Sequence, residues 1–77
     1  MTETASPLVI DALGHRCPVP VLKLRKAMAE HPEIHAFHLR ADDPMARIDV
    51  PHFCTQNSLI LHAVAETERG LRFEIHR

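Results

Sequence analysis

Leu8 to Met28 reads LVIDALGHRCPVPVLKLRKAM, and the change of pattern inside this stretch decides the fold. Leu8-Val9-Ile10 is a short β-branched run that ends at Asp11 and is punctuated by Gly14, which predicts a strand followed by a turn. From Pro18 to about Glu30 the apolar residues Val21, Leu24, Ala27 and Met28 recur at helical spacing, while Lys23, Arg25, Lys26 and Glu30 take the other face. This is an amphipathic helix. Leu22 lies off the stripe, so either the apolar face is broad or the helix touches a partner, and Pro32 bars continuation past His31.

Working outward, Ile34 to Ala41 alternates, with Phe37, Leu39 and Ala41 on one side and Ala36, His38 and Arg40 on the other. Asp42-Asp43-Pro44 then predicts a helix start, with Asp43 as N-cap and Pro44 at the first helical position, where its missing N–H costs little. The second helix is expected over Pro44 to Gln56, with Met45, Ile48, Val50, Phe53 and Cys54 as its apolar face and Pro51 kinking or splitting it. Leu59 to Glu66 and Leu71 to Arg77 alternate as strands, joined by a hairpin connection, Thr67-Glu68-Arg69-Gly70, in which glycine allows positive φ.

The order is therefore β-α-β-α-β-β. One-face-buried strands and two amphipathic helices satisfy each other most simply as two layers, an α+β sandwich with both helices on one side of a four-stranded mixed sheet. The other sheet face is expected to be polar, carrying His38, Arg40, His62, Arg72, Glu74 and His76. Residues 1–7 mix Thr, Glu, Ser and Pro without periodicity and read as a flexible lead-in to one domain over 8–77.

Bulk properties narrow the classes. At 77 residues the chain has room for one modest core, and two cysteines are too few for a disulfide-built scaffold. The start of the chain is polar and acidic, without the pattern of a signal peptide, and no apolar run is long enough to span a membrane, so a reducing cytoplasm is the expected setting. A net charge of -1 does not advertise nucleic-acid binding by the whole chain.

Cys17 is the residue with chemical content. If Pro18 takes the first helical position, Cys17 is the N-cap, and Pro18 and Pro20 together stiffen the helix entry at little cost in hydrogen bonds. The Val19 N–H and the helix dipole would then favour an anionic sulfur, and Arg16 and the cations Lys23, Arg25 and Lys26 would lower the thiol pKa further. The competing reading is a small buried hydrophobe beside prolines that only shape a turn.

The stretch IDALGHRCPVPVLKLRKAM resembles the TusA family of sulfur carriers, also called SirA-like, in which a strand leads into a Gly-x-x-Cys-Pro-x-Pro helix start. A second block, ADDPMARIDVPHFC, is similar to that family's strand-to-second-helix segment. The resemblance covers about Leu8 to Arg77 and implies a fold similar to the C-terminal domain of translation initiation factor three. It also implies that Cys17 carries sulfur as a persulfide, without a cofactor, as a carrier rather than a stand-alone enzyme. Sulfur would come from a cysteine desulfurase or a rhodanese-type donor and pass to a downstream acceptor protein in tRNA thiolation, molybdenum-cofactor or sulfur-oxidation pathways. Arg16 is the candidate anion stabiliser, and Lys23, Arg25 and Lys26 are candidate partner-binding residues, although three cations on a helix are more often a solvated face. Serving two partners in turn favours a monomer or a weak dimer.

Three further readings stay open. Cys54, beside Phe53, reads as core, as a resolving thiol for Cys17, or as a ligand. His15-x-Cys17 and His52-x-Cys54 formally supply a Cys2His2 set, but the spacing is atypical for zinc and seven histidines make accidental pairs easy. A regulatory or RNA-associated interaction module using the basic first helix is the alternative function, although three Phe and no Tyr or Trp leave no stacking platform.

Overall fold

A computed structural model describes residues 7–77. The expected lead-in at 1–7 therefore lies, apart from Pro7, outside the described residues. The elements are β1 (Leu8–Ala12), α1 (Val19–Glu30), β2 (Ala36–Ala41), α2 (Ala46–Gln56), β3 (Ile60–Thr67) and β4 (Gly70–His76). They form a four-stranded sheet in the order β1-β2-β4-β3. β1 and β2 run parallel, as a crossover through α1 requires, and β4 pairs antiparallel with both β2 and β3. This is the expected α+β sandwich with a mixed sheet.

The register builds the core in rows. Ile10, Leu39, Phe73 and Val64 lie side by side across the four strands, as do Leu8, Phe37, Ile75 and Leu61. Phe37, Leu39, Phe73 and Ile75 are fully buried under the helices, which contribute Leu24 from α1 and Ala46, Val50 and Cys54 from α2. The alternation read in β2 and β4 thus matches their burial. On the open face His38 pairs with Glu74 and Arg40 with Arg72, so polar side chains meet water there.

Arg77, expected as the end of the last strand, lies just beyond β4. Its guanidinium donates to the carbonyls of Met28 (3.3 Å), His31 (2.6 Å) and Ile34 (2.8 Å) and sits 5.2 Å from the centre of the Phe37 ring. A cation from the far end of the chain thereby meets the carbonyl end of α1.

Three expectations need correction. α2 starts at Ala46 rather than at Pro44 and runs unsplit to Gln56 with Pro51 inside it, so of the kink or split expected at Pro51 the split does not occur. Proline leaves only the Arg47 carbonyl without its intrahelical donor; Arg47 is exposed to water, while Val50 and Cys54 hold the helix to the core. Met45 and Ile48 belong to no apolar face, being 49% and 63% exposed, because the buried stripe runs Ala46, Val50, Cys54 at four-residue spacing. In β3 an irregularity between Leu61 and Ala63 shifts the register, so that Leu61 and Val64 share the helix-facing side and the simple alternation breaks. β3 is also an edge strand, which leaves Ile60 and Val64 largely exposed.

The connection from β3 to β4 is a two-residue turn, Glu68-Arg69, since Thr67 and Gly70 pair directly. Gly70 has φ +132°, and a Cβ there would lie 2.7 Å from the Ala41 carbonyl oxygen, so both conformation and space require glycine.

Candidate functional site

The loop from β1 to α1 is held first by local bonds. Asp11 Oδ1 accepts the Leu13 N–H at 3.0 Å, the Ala12 carbonyl accepts the His15 N–H at 3.2 Å, and Gly14 turns the chain at φ +82°. A second turn follows at once: the Val19 N–H donates to the Arg16 carbonyl at 2.9 Å across Cys17 and Pro18, whose peptide bond is cis. Helix α1 starts from Val19, with Pro20 buried in its first turn and the Leu22 N–H donating to the Pro18 carbonyl at 3.1 Å.

This local order overturns the expected cap. Pro18, not Cys17, occupies the N-cap position, and no side chain caps α1. Cys17 lies one residue further out, and the Val19 N–H expected at the sulfur is spent on Arg16. Both prolines still belong to the helix entry.

Long-range bonds fix the loop against the start of α2. Asp42 accepts the Gly14 N–H with both carboxylate oxygens, at 3.0 and 3.1 Å. Asp43 Oδ2 accepts the Cys17 N–H at 2.7 Å, and Asp43 Oδ1 accepts the Met45 N–H at 3.3 Å. Asp43 was expected to cap the second helix. It does so one turn before the regular helix, whose own N-cap position falls on Met45, and it spends its other oxygen on Cys17. Gly14, His15, Arg16, Asp42, Asp43 and Pro44 line a shallow cleft of about 410 Å³ between the two segments.

Cys17 is half-buried at the margin of the core, and its thiol is free. Its surroundings are acidic rather than basic. Burial, then a hydrogen bond and the charge of Asp49, then the charge and hydrogen bond of Asp43, push the thiol up to about 12. The expectation of a lowered thiol pKa is therefore reversed. Asp43 in turn is held below the usual carboxylate range, chiefly by the Cys17 N–H and, more weakly, by the Met45 N–H, the thiol and the charge of Arg16. An ionised carboxylate beside the sulfur is the resting arrangement.

None of the expected cations acts on the thiol itself. Arg16 is exposed and bears on Asp43. Lys23 Nζ donates to the Asp11 carbonyl at 3.2 Å, Lys26 lies 4.0 Å from Glu30, and Arg25 is exposed. Sequence reasoning placed Asp49 in the second block of the resemblance but gave it no chemical role; the further signal was an acidic side chain in the first turn of α2, where the dipole favours it.

Leu22, Met45 and Ile48 leave 52%, 49% and 63% of their surface exposed. They lie near the starts of α1 and α2, the end of the molecule that carries Cys17. Cys54 is 2% exposed within the core, and burial alone pushes its thiol up. His15 and His52 are exposed, and among the described residues no three His, Cys, Asp or Glu side chains come together as a metal-binding group. No helix among the described residues is long and apolar enough to cross a membrane.

Fold and site together define a two-layer α+β protein with a free cysteine at its first loop-to-helix junction. The chain belongs to the TusA family: the family model described as sulfurtransferase TusA matches residues 8–77. It is also similar to the crystal structure of a SirA-like protein from Desulfitobacterium hafniense, with a TM-score of 0.74 and 26% sequence identity over 90% of this chain and 93% of that one. Membership carries a general role as a sulfur carrier, working with proteins that give and take sulfur.

Proposed function

We propose that Cys17 carries sulfur as a persulfide between a donor and an acceptor protein. The observation that carries this reading is the contrast in placement between the chain's two thiols: Cys17 is in the loop that opens α1, whereas Cys54 is sealed in the core. In the transfer the Cys17 sulfur attacks the outer sulfur of the donor's persulfide. A new S–S bond forms on Cys17, the donor's S–S bond breaks, and the donor leaves as a thiolate that takes up the proton lost by Cys17. Atoms and electrons balance without an external oxidant, reductant or cofactor. Delivery repeats the step with Cys17 as leaving group.

The thiol's acidic surroundings add a condition. At neutral pH the resting sulfur is protonated, so the donor must bring a base, or a cation that offsets Asp43 and Asp49, when it docks. Exposed Leu22, Met45 and Ile48 at the same end provide apolar area for that docking. The donor we infer is a cysteine desulfurase or a rhodanese-type protein, and the acceptor a thiol protein of tRNA thiolation, molybdenum-cofactor synthesis or sulfur oxidation.

The test is mass spectrometry after incubation with a cysteine desulfurase and L-cysteine, or with a rhodanese and thiosulfate. A gain of about 32 Da, one sulfur atom, is expected on the peptide holding Cys17. Loading of Cys17→Ser at the parent level would overturn the proposal.

A further inference from the structure

Asp43 joins two parts of the chain through one carboxylate. Oδ2 holds the Cys17 N–H at 2.7 Å and Oδ1 the Met45 N–H at 3.3 Å, a link across 26 residues between the loop that bears the sulfur and the start of α2. Asp42 makes the parallel link to Gly14. The other backbone bonds within the loop run only to its own neighbours, from His15 to Ala12 and from Val19 to Arg16. These shape the loop but do not place it against α2. Of the two carboxylates, only Asp43 bonds the peptide of the cysteine itself.

We propose that Asp43 is the positioning residue for sulfur transfer, its carboxylate fixing the Cys17 peptide against the start of α2 and so the direction from which the sulfur meets its protein partners. This rests on reading Cys17 as the carrier. Asp43 acts through the peptide and touches no substrate in this role.

The same carboxylate also acts through its charge, and this makes the two contributions separable. The groups around the thiol are Asp43 and Asp49 on the α2 side and Arg16 and His15 in its own loop, with Asp42 beyond Gly14. Asp43→Asn keeps the size of the side chain, removes the negative charge, and places an amide donor where one of the two N–H groups expects an acceptor. Charge removal should make the sulfur more reactive toward small reagents. Loss of the anchor should make it a poorer partner for a protein. A variant that merely loosened the fold would also open the core thiol, so Cys54, 2% exposed in the parent, must stay unalkylated while Cys17 reacts faster.

The experiment compares the full chain with Asp43→Asn and with Asp42→Asn, each checked for folding by circular dichroism. Iodoacetamide alkylation of Cys17 is followed across pH 6–10, and persulfide loading is followed separately from a cysteine desulfurase with L-cysteine and from glutathione persulfide. For Asp43→Asn the expected alkylation at pH 8 is about threefold faster or more, because a nearby negative charge is gone. Desulfurase-driven loading is expected to fall roughly tenfold or more, as misplacement of a reacting atom entails, while loading from glutathione persulfide does not fall. Asp42→Asn should change desulfurase-driven loading less than Asp43→Asn does. If Asp43→Asn does not fold, Asp43→Ser, whose hydroxyl can still cap Met45 but is too short to bridge to Cys17, takes its place. Unchanged desulfurase loading, or equal losses with both donors, would overturn the positioning role. A parent protein that loads from neither donor would instead defeat the carrier reading, while the alkylation profile still reports on Asp43.

Discussion

The two cysteines of this chain share a direction of pKa shift and differ in its origin. Burial alone raises Cys54, which sits in the core beside Val50 on the stripe that α2 presents to the sheet. Cys17 is also raised by burial, but Asp49 and Asp43 add to it, and water reaches the site. The difference matters because a packed core cannot be rearranged by a visitor, whereas the effect of two carboxylates can be offset by a cation. One thiol is inert by architecture, and the other is restrained by burial together with charges, of which a docking surface can neutralise the charges.

The comparison is broken most directly by chemistry at the thiols. In a Cys54→Ala background, Cys17 should alkylate at pH 8 roughly 30- to 60-fold more slowly than a cysteine of ordinary pKa, since far less thiolate is present and its greater nucleophilicity recovers only part of the loss. A rate equal to that of a free cysteine, timed by mass spectrometry, would show that neither burial nor the carboxylates restrain the sulfur. Asp49→Asn should raise that slow rate by about three- to fourfold, since the return of roughly one pKa unit when a hydrogen-bonding anion becomes an amide gives about tenfold more thiolate of lower nucleophilicity.

A smaller effect belongs to the core thiol. Cys54→Ala removes a buried sulfur and should cost about 1 kcal/mol in urea unfolding while leaving persulfide loading intact. Loss of loading would give Cys54 a chemical role that its burial argues against. The smallest effect is on alkaline stability. Cys17 is neutral in the fold with its pKa raised from 9.0 to about 12, so its contribution is full below pH 9 and is lost as the pH rises through 12. Cys17→Ser should flatten that decline modestly, because a partly exposed thiol is screened by solvent.

The legible parts of this molecule were those settled by neighbouring residues. The alternation of β2 and β4, the stripe of α1 and the glycine at the hairpin follow from local pattern, and the structure has them where that pattern puts them. β3 misled because its bulge belongs to pairing with β4 and to an edge position, neither of which its own sequence displays. Met45 and Ile48 misled because being apolar does not say which side of a helix faces the sheet. The site divided in the same way. Cys17 and its two prolines stood out, and so did Asp43 as a helix starter, but the acidity around the sulfur depends on residues brought together from opposite ends of β2 and α1. Arg16, adjacent in sequence, looked like the natural partner of the thiol, and the carboxylates supplied by the fold outweigh it.

The place of β4 in the sheet has a consequence for how the molecule comes into being. β4 is the last strand in chain order, yet it lies between β2 and β3, so neither can join the other until it arrives. During synthesis the earlier strands wait, and the sheet closes only after nearly all of 8–77 has left the ribosome. Until then the segment from Asp42 to Asp49 has no finished layer to hold it against the loop, and Cys17 is a thiol of ordinary reactivity. The newborn chain thus passes through a window in which its sulfur is unrestrained, and completing the sheet brings the burial and the carboxylates that lower its reactivity.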